Sequence, residues 1–409
     1  MKALRDRLDR LEPHFGEGGK LHRWHYAWDA IDTILYSPGY TTRSGSHIRD
    51  GLDMKRMMLT VVAAMLPLQL MALYNTGLQA FLAIEAGAQP LDNLQTMFYS
   101  GWLGLPFDPG SLLFCMIYGA LYFVPVMVAG LIGGGTVEMI FATVRRHEIN
   151  EGFLVTSALI PLILPPTIPL WMVALVTAVG ITLSKEIFGG TGTNFLNPAL
   201  TIRAILFFAY PAFMSGVSPW IAADFEGVDN FTGATYLLQA TEIGAGIGEV
   251  FSSNWWDAFL GFVPGSMGET SALAALLGAA VLIGARIGSW RTMLGVTVGT
   301  FAAASLLNAI GSQTNPMFEL SFMWHIVLGG WALGTVFMAT DPVSSAFTER
   351  GKLFYGLGIG LLVVLIRVVN PAYPEGMMLA ILFMNMFAPL IDHFVVRANV
   401  RRREARYAA

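Results

Sequence analysis

Ten mostly apolar segments, separated by polar loops, make up most of this chain. At least nine of them are long enough to cross, or nearly cross, a bilayer core of about 30 Å, which takes about 20 helical residues, whereas the third is short for the bilayer. Barrel strands would alternate apolar and polar residues over about ten positions, and that alternation is absent. We therefore predict an all-α polytopic membrane protein with ten transmembrane helices, at residues 57–77, 112–132, 152–164, 168–184, 198–214, 270–285, 290–310, 324–342, 354–369 and 376–396.

Lysine and arginine are concentrated on one side of these predicted helices. The chain has 24 such residues, yet four long stretches contain none of them, at 57–144, 204–285, 292–349 and 368–396. Basic residues are enriched in cytoplasmic loops, so this distribution places both termini in the cytoplasm. The predicted organisation is a cytoplasmic N-terminal segment, five helices, an outer loop, five more helices and a cytoplasmic tail, at residues 1–56, 57–214, 215–269, 270–396 and 397–409.

A short motif is repeated at corresponding places in the two predicted halves. Asn-Pro-Ala precedes the fifth segment at 197–199 and the tenth at 370–372. The fifth and tenth segments would run in opposite directions, which is the arrangement of two inverted five-helix repeats in many transporters. The alternative is chance, because the motif is short and proline is common at helix ends.

Composition narrows the possible functions. Hydrophobic residues make up 55% of the chain and charged residues only 13%, whereas soluble domains carry about 25% charge. Cys115 is the one cysteine, which excludes a disulfide or an iron–sulfur ligand set within this chain alone. The chain contains no Walker motif and no dinucleotide-binding GxGxxG motif after a predicted strand. Nothing in the sequence suggests nucleic-acid binding. A glycine run at 356–360 lies inside an apolar segment and predicts close helix packing.

Several ionisable residues lie within or at the edges of the apolar segments, where charge is costly and usually faces a cavity, a partner or an ion path. Interfacial placement or a structural ion pair is the alternative, and it is favoured for the residues at segment ends. Glu138 follows Gly133, Gly134 and Gly135, where we expect a flexible backbone that could admit a ligand. The full set is Glu138, Lys185, Glu186, Arg203, Asp341, Arg367, Glu375 and Asp392.

The long outer loop contains the sequence Thr-Gly-Ala-Thr at residues 232–235. By itself this is a weak motif, because a hydroxyl residue followed by a flexible glycine and a second hydroxyl often begins an ordinary helix. Aromatic residues in the same loop, including Trp220, are typical of anchors at a membrane interface.

Six blocks of sequence carry a resemblance to a known family, and together they extend over most of the chain. The chain resembles the B subunits of the bacterial Na⁺-translocating NADH:quinone oxidoreductases, which are related to the D subunits of Rnf complexes. This resemblance implies a six-subunit complex in a bacterial inner membrane. Electrons from NADH, oxidised in another subunit, would pass through flavins to ubiquinone with outward Na⁺ transport. The blocks are RHEINEGF (146–153), KEIFGGTG (185–192), NFLNPAL (194–200), FFAYPA (207–212), ATDPVS (339–344) and RVVNPAYPEG (367–376).

The resemblance also implies two flavins. FMN would be attached through a phosphoester to Thr235 by a flavin transferase, with Thr232 at a position that is often serine in the family. A non-covalent riboflavin would lie near Asn194 and Asn197, whose amides can hydrogen-bond a flavin ring; capping the fifth helix is their alternative role. The ring of a bound flavin needs a flat apolar or aromatic surface to pack against. The candidate residues for this flavin bed at the FMN are Trp220, Phe231 and Tyr236.

Quinone and sodium sites are implied in the same way. Ubiquinone would bind near Gly134 and Gly135, with Glu138 close by. Quinone reduction takes up two protons, so a carboxyl group near the site is chemically sensible. The Na⁺ path would use Glu138, Asp341 and Asp392, because a hard cation prefers oxygen ligands.

Two other functions remain open. The first is that of the D subunit of an Rnf-type ferredoxin:NAD⁺ oxidoreductase, which shares the flavin-attachment motif; the 56-residue N-terminal segment favours the quinone reductase instead. The second is a solute channel with an inverted repeat and no redox role. Covalently bound flavin would distinguish both redox proteins from the channel.

Overall fold

The computed structural model describes residues 2–16, 18–19, 21–22, 25, 28, 54–146, 152–225, 228, 231–243, 255–370 and 373–407. Most of the predicted N-terminal segment therefore lies outside the described residues, as do part of the outer loop and Pro371 and Ala372 of the repeated motif. The helices are α1 Lys2–Phe15, α2 Met54–Glu85, α3 Leu112–Arg145, α4 Gly152–Leu162, α5 Leu170–Ser184, α6 Pro198–Ala209, α7 Tyr236–Ile243, α8 Trp255–Leu260, α9 Ala272–Gly284, α10 Trp290–Ile310, α11 Phe322–Val327, α12 Glu349–Val369 and α13 Met377–Tyr407.

Shorter elements complete the described fold. Two two-residue strands, β1 Gln89–Pro90 and β2 Ala223–Asp224, pair antiparallel with Gln89 opposite Asp224. The remaining short helical pieces are Leu94–Thr96, Met97–Trp102, Glu186–Phe188, Pro211–Phe213, Ser218–Trp220, Pro316–Glu319, Trp331–Leu333 and Gly334–Met338.

The prediction of a mostly helical polytopic membrane protein is confirmed. Each of the ten predicted segments contains helix. Among the described residues, six helices are long and apolar enough to cross a membrane, and α4, α6 and α9 are shorter apolar helices. A single hydrophobic core extends through both predicted halves, from Met65 and Leu68 of α2 to Ile359 and Val363 of α12.

Polar residues directly before the helices fix where several of them begin. The side-chain oxygens of Asn197, Ser271, Ser289 and Thr348 each accept a hydrogen bond from a backbone N–H in the first turn that follows. Such N-caps satisfy donors that have no partner within the helix. At Asn197 the next residue is Pro198, which suits the first helical position because that position needs no N–H.

The glycine run after the predicted second segment is not a flexible stretch, so that expectation is wrong. Helix α3 continues through Gly133, Gly134 and Gly135 to Arg145. A Cβ on Gly133 would lie 2.1 Å from the Ala174 carbonyl oxygen, and one on Gly134 would lie 2.4 Å from the Phe153 ring. These glycines therefore allow α4 and α5 to pack closely against α3.

The predicted eighth helix, at residues 324–342, is also not continuous. Helix α11 ends at Val327, and helical structure resumes only at Trp331. Gly329 has a φ of 58°, a left-handed conformation that favours glycine. The Arg367 guanidinium donates hydrogen bonds to the buried carbonyl oxygens of His325 at 2.6 Å and Leu328 at 2.7 Å. Arg367 thereby satisfies backbone groups that a broken helix leaves without partners.

Helices α10 and α12 pack through facing glycines. A Cβ on Gly360 would lie 2.1 Å from the Val296 carbonyl oxygen, and one on Gly356 would lie 2.3 Å from the Thr292 carbonyl oxygen. These distances are far below van der Waals contact, so only glycine permits this separation of the two backbones.

We expect Gly360→Ala to destabilise the protein by about 1–3 kcal/mol or more, because the new methyl group meets rigid backbone. Gly358→Ala is the matched control: its Cβ would meet only the flexible end of the Met384 side chain. Heating the detergent-solubilised protein and measuring the monodisperse fraction should show a clear loss for Gly360→Ala alone. Equal behaviour of the two variants would contradict this packing.

The two ends of the helical bundle differ in charge. The ends of α5 and α9 lie at one end, together with the beginnings of α2, α4 and α6, and all of them line one cavity there. This end carries Lys185 and Arg286, and we call it the basic end. The opposite end carries Thr235 at the beginning of α7, and we call it the Thr235 end.

Candidate functional site

Thr235 directly precedes α7. Its Oγ1 accepts a hydrogen bond from the Leu238 backbone N–H at 3.2 Å, so the threonine acts as an N-cap. Just before it, the Thr232 Oγ1 accepts from the Ala234 N–H at 3.2 Å. A Cβ on Gly233 would lie 2.5 Å from the Phe225 ring, so the turn has no room for a side chain there. The Thr-Gly-Ala-Thr sequence is therefore built into a tight turn that leads into a helix.

Thr235 lines a cavity of about 340 Å³. Val263 and Leu328 contribute apolar wall, while Glu269 and Glu375 bring carboxyl groups to the same space. Thr270 also lines the cavity, and within the described part of the chain its buried Oγ1 has no hydrogen-bond partner. Apolar walls with a few converging polar groups are characteristic of small-molecule sites.

Buried charges lie at one side of this cavity. Arg203 forms an ion pair with Glu269 and places its Nη2 3.2 Å from Glu375 Oε2. Arg203 also donates to Ser266 Oγ at 3.4 Å. Arg367 is completely buried nearby and donates from Nε to the Glu375 carbonyl oxygen at 3.3 Å. We call Arg203, Glu269, Glu375 and Arg367 the charge cluster.

Three members of the charge cluster were identified from sequence as ionisable residues in or beside apolar segments, but Glu269 was missed. That residue falls at the last position of the predicted outer loop, where a carboxylate is unremarkable. Its position directly before an apolar segment, beside Thr270 and Ser271, was the available signal. Thr270, the first residue of the predicted segment 270–285, was also missed, because a hydroxyl side chain is common where a helix begins.

The three candidate residues for a flavin bed lie in two different places. Tyr236 lines the cavity with Thr235. Trp220 is buried in a separate hydrophobic cluster with Ala83 and Ala88, and Phe231 packs against this cluster and against the Phe225 ring at 5.5 Å. Tyr236 is therefore the aromatic residue of the three that the structure places at the cavity.

The basic end holds a larger cavity of about 790 Å³, and Asn194 and Asn197 both line it. Asn197 also caps α6, since its Oδ1 accepts from the Leu200 N–H at 3.2 Å. The two roles considered for this asparagine are therefore compatible. Asp341 lines the same cavity, with its Oδ2 3.5 Å from Asn197 Nδ2 and 2.6 Å from Ser344 Oγ. Apolar side chains, among them Leu159 and Phe337, form other parts of the wall.

Glu138 connects to this cavity through Lys185. The two residues form a buried ion pair, and Lys185 lines the cavity. Gly134 and Gly135, by contrast, face the Phe153 ring within the packed α3–α4 contact. The structure thus brings Glu138, Lys185 and Asp341 to one region of the basic end but does not place the two glycines on the cavity wall.

Asp392 stands beside a second cavity at the basic end, which it lines with Asn385 and Phe195. Its carboxylate accepts hydrogen bonds from the backbone N–H groups of Phe347 at 2.6 Å and Thr348 at 2.9 Å. Asp392 therefore holds the loop that leads into α12. Val343 lines both cavities, so the two spaces are neighbours.

Comparison with known proteins identifies the family. A sequence model of the NQR2, RnfD, RnfE family matches residues 41–401. The chain belongs to this family. Similar proteins include one from Chromohalobacter salexigens, 54% identical over 100% of this chain and 97% of the relative. Others come from Pseudomonas paraeruginosa, at 53% identity over 99% of each chain, and Klebsiella pneumoniae, at 51% over 99% of this chain and 100% of the relative. Each of the three is named as the B subunit of a Na(+)-translocating NADH-quinone reductase.

The family match bears on the alternatives considered from sequence. The NQR2, RnfD, RnfE model begins at residue 41, whereas the reductase B-subunit relatives align with 99–100% of the chain. The first 40 residues are thus shared with the reductase proteins but lie outside the region common to the wider family.

Proposed function

We propose that this chain is the membrane subunit of a Na⁺-translocating NADH–quinone reductase and that it carries FMN on Thr235 through a phosphoester. The observation that carries this proposal is the position of the Thr235 hydroxyl. It lies at the N-terminus of a helix and on the wall of a cavity whose buried Thr270 hydroxyl lacks a partner among the described residues. The full-length similarity to the reductase B subunits supports the same function.

The residues around Thr235 suit a phosphorylated group. The backbone N–H groups at the beginning of α7 and the helix dipole favour an anion at that position. When bound, FMN supplies one- and two-electron chemistry. Tyr236, Val263 and Leu328 line the space in which its ring would be held away from water, and Thr270 offers a hydroxyl for a ring heteroatom. A flavin transferase would make the phosphoester during maturation.

The basic-end cavity is the proposed place of a second, non-covalent flavin. Riboflavin would find amides at Asn194 and Asn197 and apolar wall at Leu159 and Phe337. We propose that ubiquinone binds near Gly134, Gly135 and Glu138, where the buried Glu138–Lys185 pair could hold a proton close to it.

Sodium would pass close to the buried acids of the basic end. Glu138 forms an ion pair with Lys185, Asp341 lies beside Asn197, and Asp392 lies beside the neighbouring cavity. Carboxylates, the Ser344 hydroxyl and the backbone carbonyls of irregular segments are ligands that suit a hard cation.

The ten-helix topology and the inverted repeat belong to the same proposal, with the basic end in the cytoplasm of a bacterium. Equivalent contacts in the two halves support it. In the first half α3 packs against α5 and α5 against α6, and in the second half α10 packs against α12 and α12 against α13. The first helices of the halves, α2 and α9, contact each other, as do the last, α6 and α13. In this topology Thr235 faces outward, and the protein works within a six-subunit complex of the inner membrane.

The D subunit of an Rnf-type complex is the second candidate, because the family includes it. The N-terminal 40 residues favour the quinone reductase, since the reductase B-subunit relatives share them. A solute channel without redox function has no support in the family match.

Sodium dependence tests the proposed activity. We expect the purified complex, with all its subunits, to reduce ubiquinone with NADH several-fold faster in Na⁺ than in K⁺ at equal ionic strength, because ion movement and electron transfer are coupled. Sealed vesicles should accumulate Na⁺ during turnover. Equal rates in the two salts, without Na⁺ uptake, would contradict the proposal; ferredoxin-dependent NAD⁺ reduction would indicate the Rnf-type function instead.

A further inference from the structure

The charge cluster next to Thr235 has no role in the function as described so far. Two arginines and two glutamates meet within the helical bundle, and three of the four are at most 7% exposed. Burying ion pairs generally contributes little to stability compared with apolar residues of similar size. Arg367 also supports the broken helix, but for Arg203, Glu269 and Glu375 stability alone does not explain a position beside a cavity.

The cluster is directly connected to the segment that carries Thr235. Leu237 of α7 lies against Gly329, where a Cβ would be 3.1 Å from the Leu237 side chain, 3.4 Å from Arg367 Nη2 and 3.7 Å from Glu375 Oε2. A Cβ on the neighbouring Gly330 would lie 2.5 Å from Glu269 Oε1. Because these two glycines of the broken helix have no side chains, α7 can lie close to the carboxylates of Glu269 and Glu375 and to the guanidinium of Arg367.

These charges lie beside the same cavity as Thr235, so they would be close to a flavin attached to that residue. Thr235, Glu269 and Glu375 line one narrow space. A ring tethered to Thr235 and placed there would lie beside the carboxylates and close to the arginines behind them. Charges in a buried, weakly screened environment act strongly on each other.

We propose that the charge cluster sets the redox potential of the flavin held on Thr235. Arg203 and Arg367 stabilise the negative charge that reduction brings to this cavity, and Glu269 and Glu375 oppose it. The inference rests on the proposed function. The step is the transfer of one electron to the flavin: NADH, which loses two electrons in another subunit, is the ultimate reductant, and its electrons reach the flavin one at a time. The four side chains neither form bonds nor change protonation.

The test uses substitutions of opposite charge in the complete complex. Arg203→Gln should lower the potential of the covalent flavin, and Glu269→Gln should raise it, each changing the ratio of oxidised to reduced flavin at a fixed potential by roughly tenfold. For one electron this is about 59 mV. Arg203→Lys should keep the potential, and the double variant should return towards the original value. Spectroelectrochemical titration of all variants at one fixed pH measures this shift.

The matched control is Arg291→Gln, which removes an arginine from a partly exposed ion pair with Glu349 and should leave the potential unchanged. A merely structural role would not give shifts of opposite sign. Bound flavin with no shift, or with the same shift in both variants, would overturn the inference. A complex without covalent flavin would overturn the proposed function instead, so the two failures are distinguishable.

Discussion

Thr235→Ala should abolish covalent flavin on this chain completely. The phosphoester requires a hydroxyl oxygen, and alanine has none, so no partial attachment is expected. The chain produced together with its flavin transferase should show a fluorescent band on a denaturing gel under ultraviolet light, and the variant should show none. The fold should persist, because the loss of the N-cap bond to Leu238 costs only about 1 kcal/mol.

Thr232→Ala is the matched control for this prediction. It removes the other hydroxyl of the motif, whose only described bond is the local one to the Ala234 N–H, and the fluorescent band should remain. A band that survives Thr235→Ala and disappears in Thr232→Ala would show that Thr232 is the attachment residue and that the assignment to Thr235 is wrong. A band lost in both variants would point to damage of the turn rather than to the attachment atom.

Arg367→Leu should have the largest effect on the fold. Arg367 is fully buried and donates to the carbonyl oxygens of His325, Leu328 and Glu375. Leucine removes all of these donors and takes one of the two positive charges away from Glu375. Breaking a buried network of this kind costs about 3–5 kcal/mol. The temperature at which the solubilised protein loses its monodisperse peak should fall by roughly 3–6 °C.

Arg291→Leu provides the comparison, since it also replaces an arginine that pairs with a glutamate. Arg291 is 41% exposed at the basic end, where such a pair contributes about 0–1 kcal/mol. Its variant should behave almost like the original protein. If both variants lost the same small amount of stability, Arg367 would not be what holds the broken helix together.

Hydrophobic patterning located the helices well because membrane helices are selected for apolar length. It did not reveal the interruption at Leu328–Gly330, where the Gly329–Gly330 pair was the available signal within an otherwise apolar segment. The interruption depends on Arg367, which is 39 residues away from Leu328 in sequence. The glycines at 133–135 were misread for a related reason. In isolation they favour a flexible chain, but close contact with Ala174 and Phe153 keeps them helical.

The candidate sites were predictable to different degrees. Asn194, Asn197 and Asp341 were all proposed from sequence, and the structure brings them to one cavity. That Arg203 pairs with Glu269, 66 residues later, could not be predicted. Three-dimensional packing alone brings these residues together and places them beside Thr235. The charge cluster therefore appeared only when the helices were assembled, although most of its members stood out as charges in apolar segments.

Peptide mass spectrometry of the purified complex tests the central claim most directly. Trypsin has no cleavage site between Arg203 and Arg286, so chymotrypsin or pepsin is needed to isolate the segment around Thr235. We expect a peptide heavier by one FMN less one water, with fragment ions that place the addition on Thr235. An unmodified Thr235 in a complex that reduces quinone, or an addition located on Thr232, would contradict the proposal.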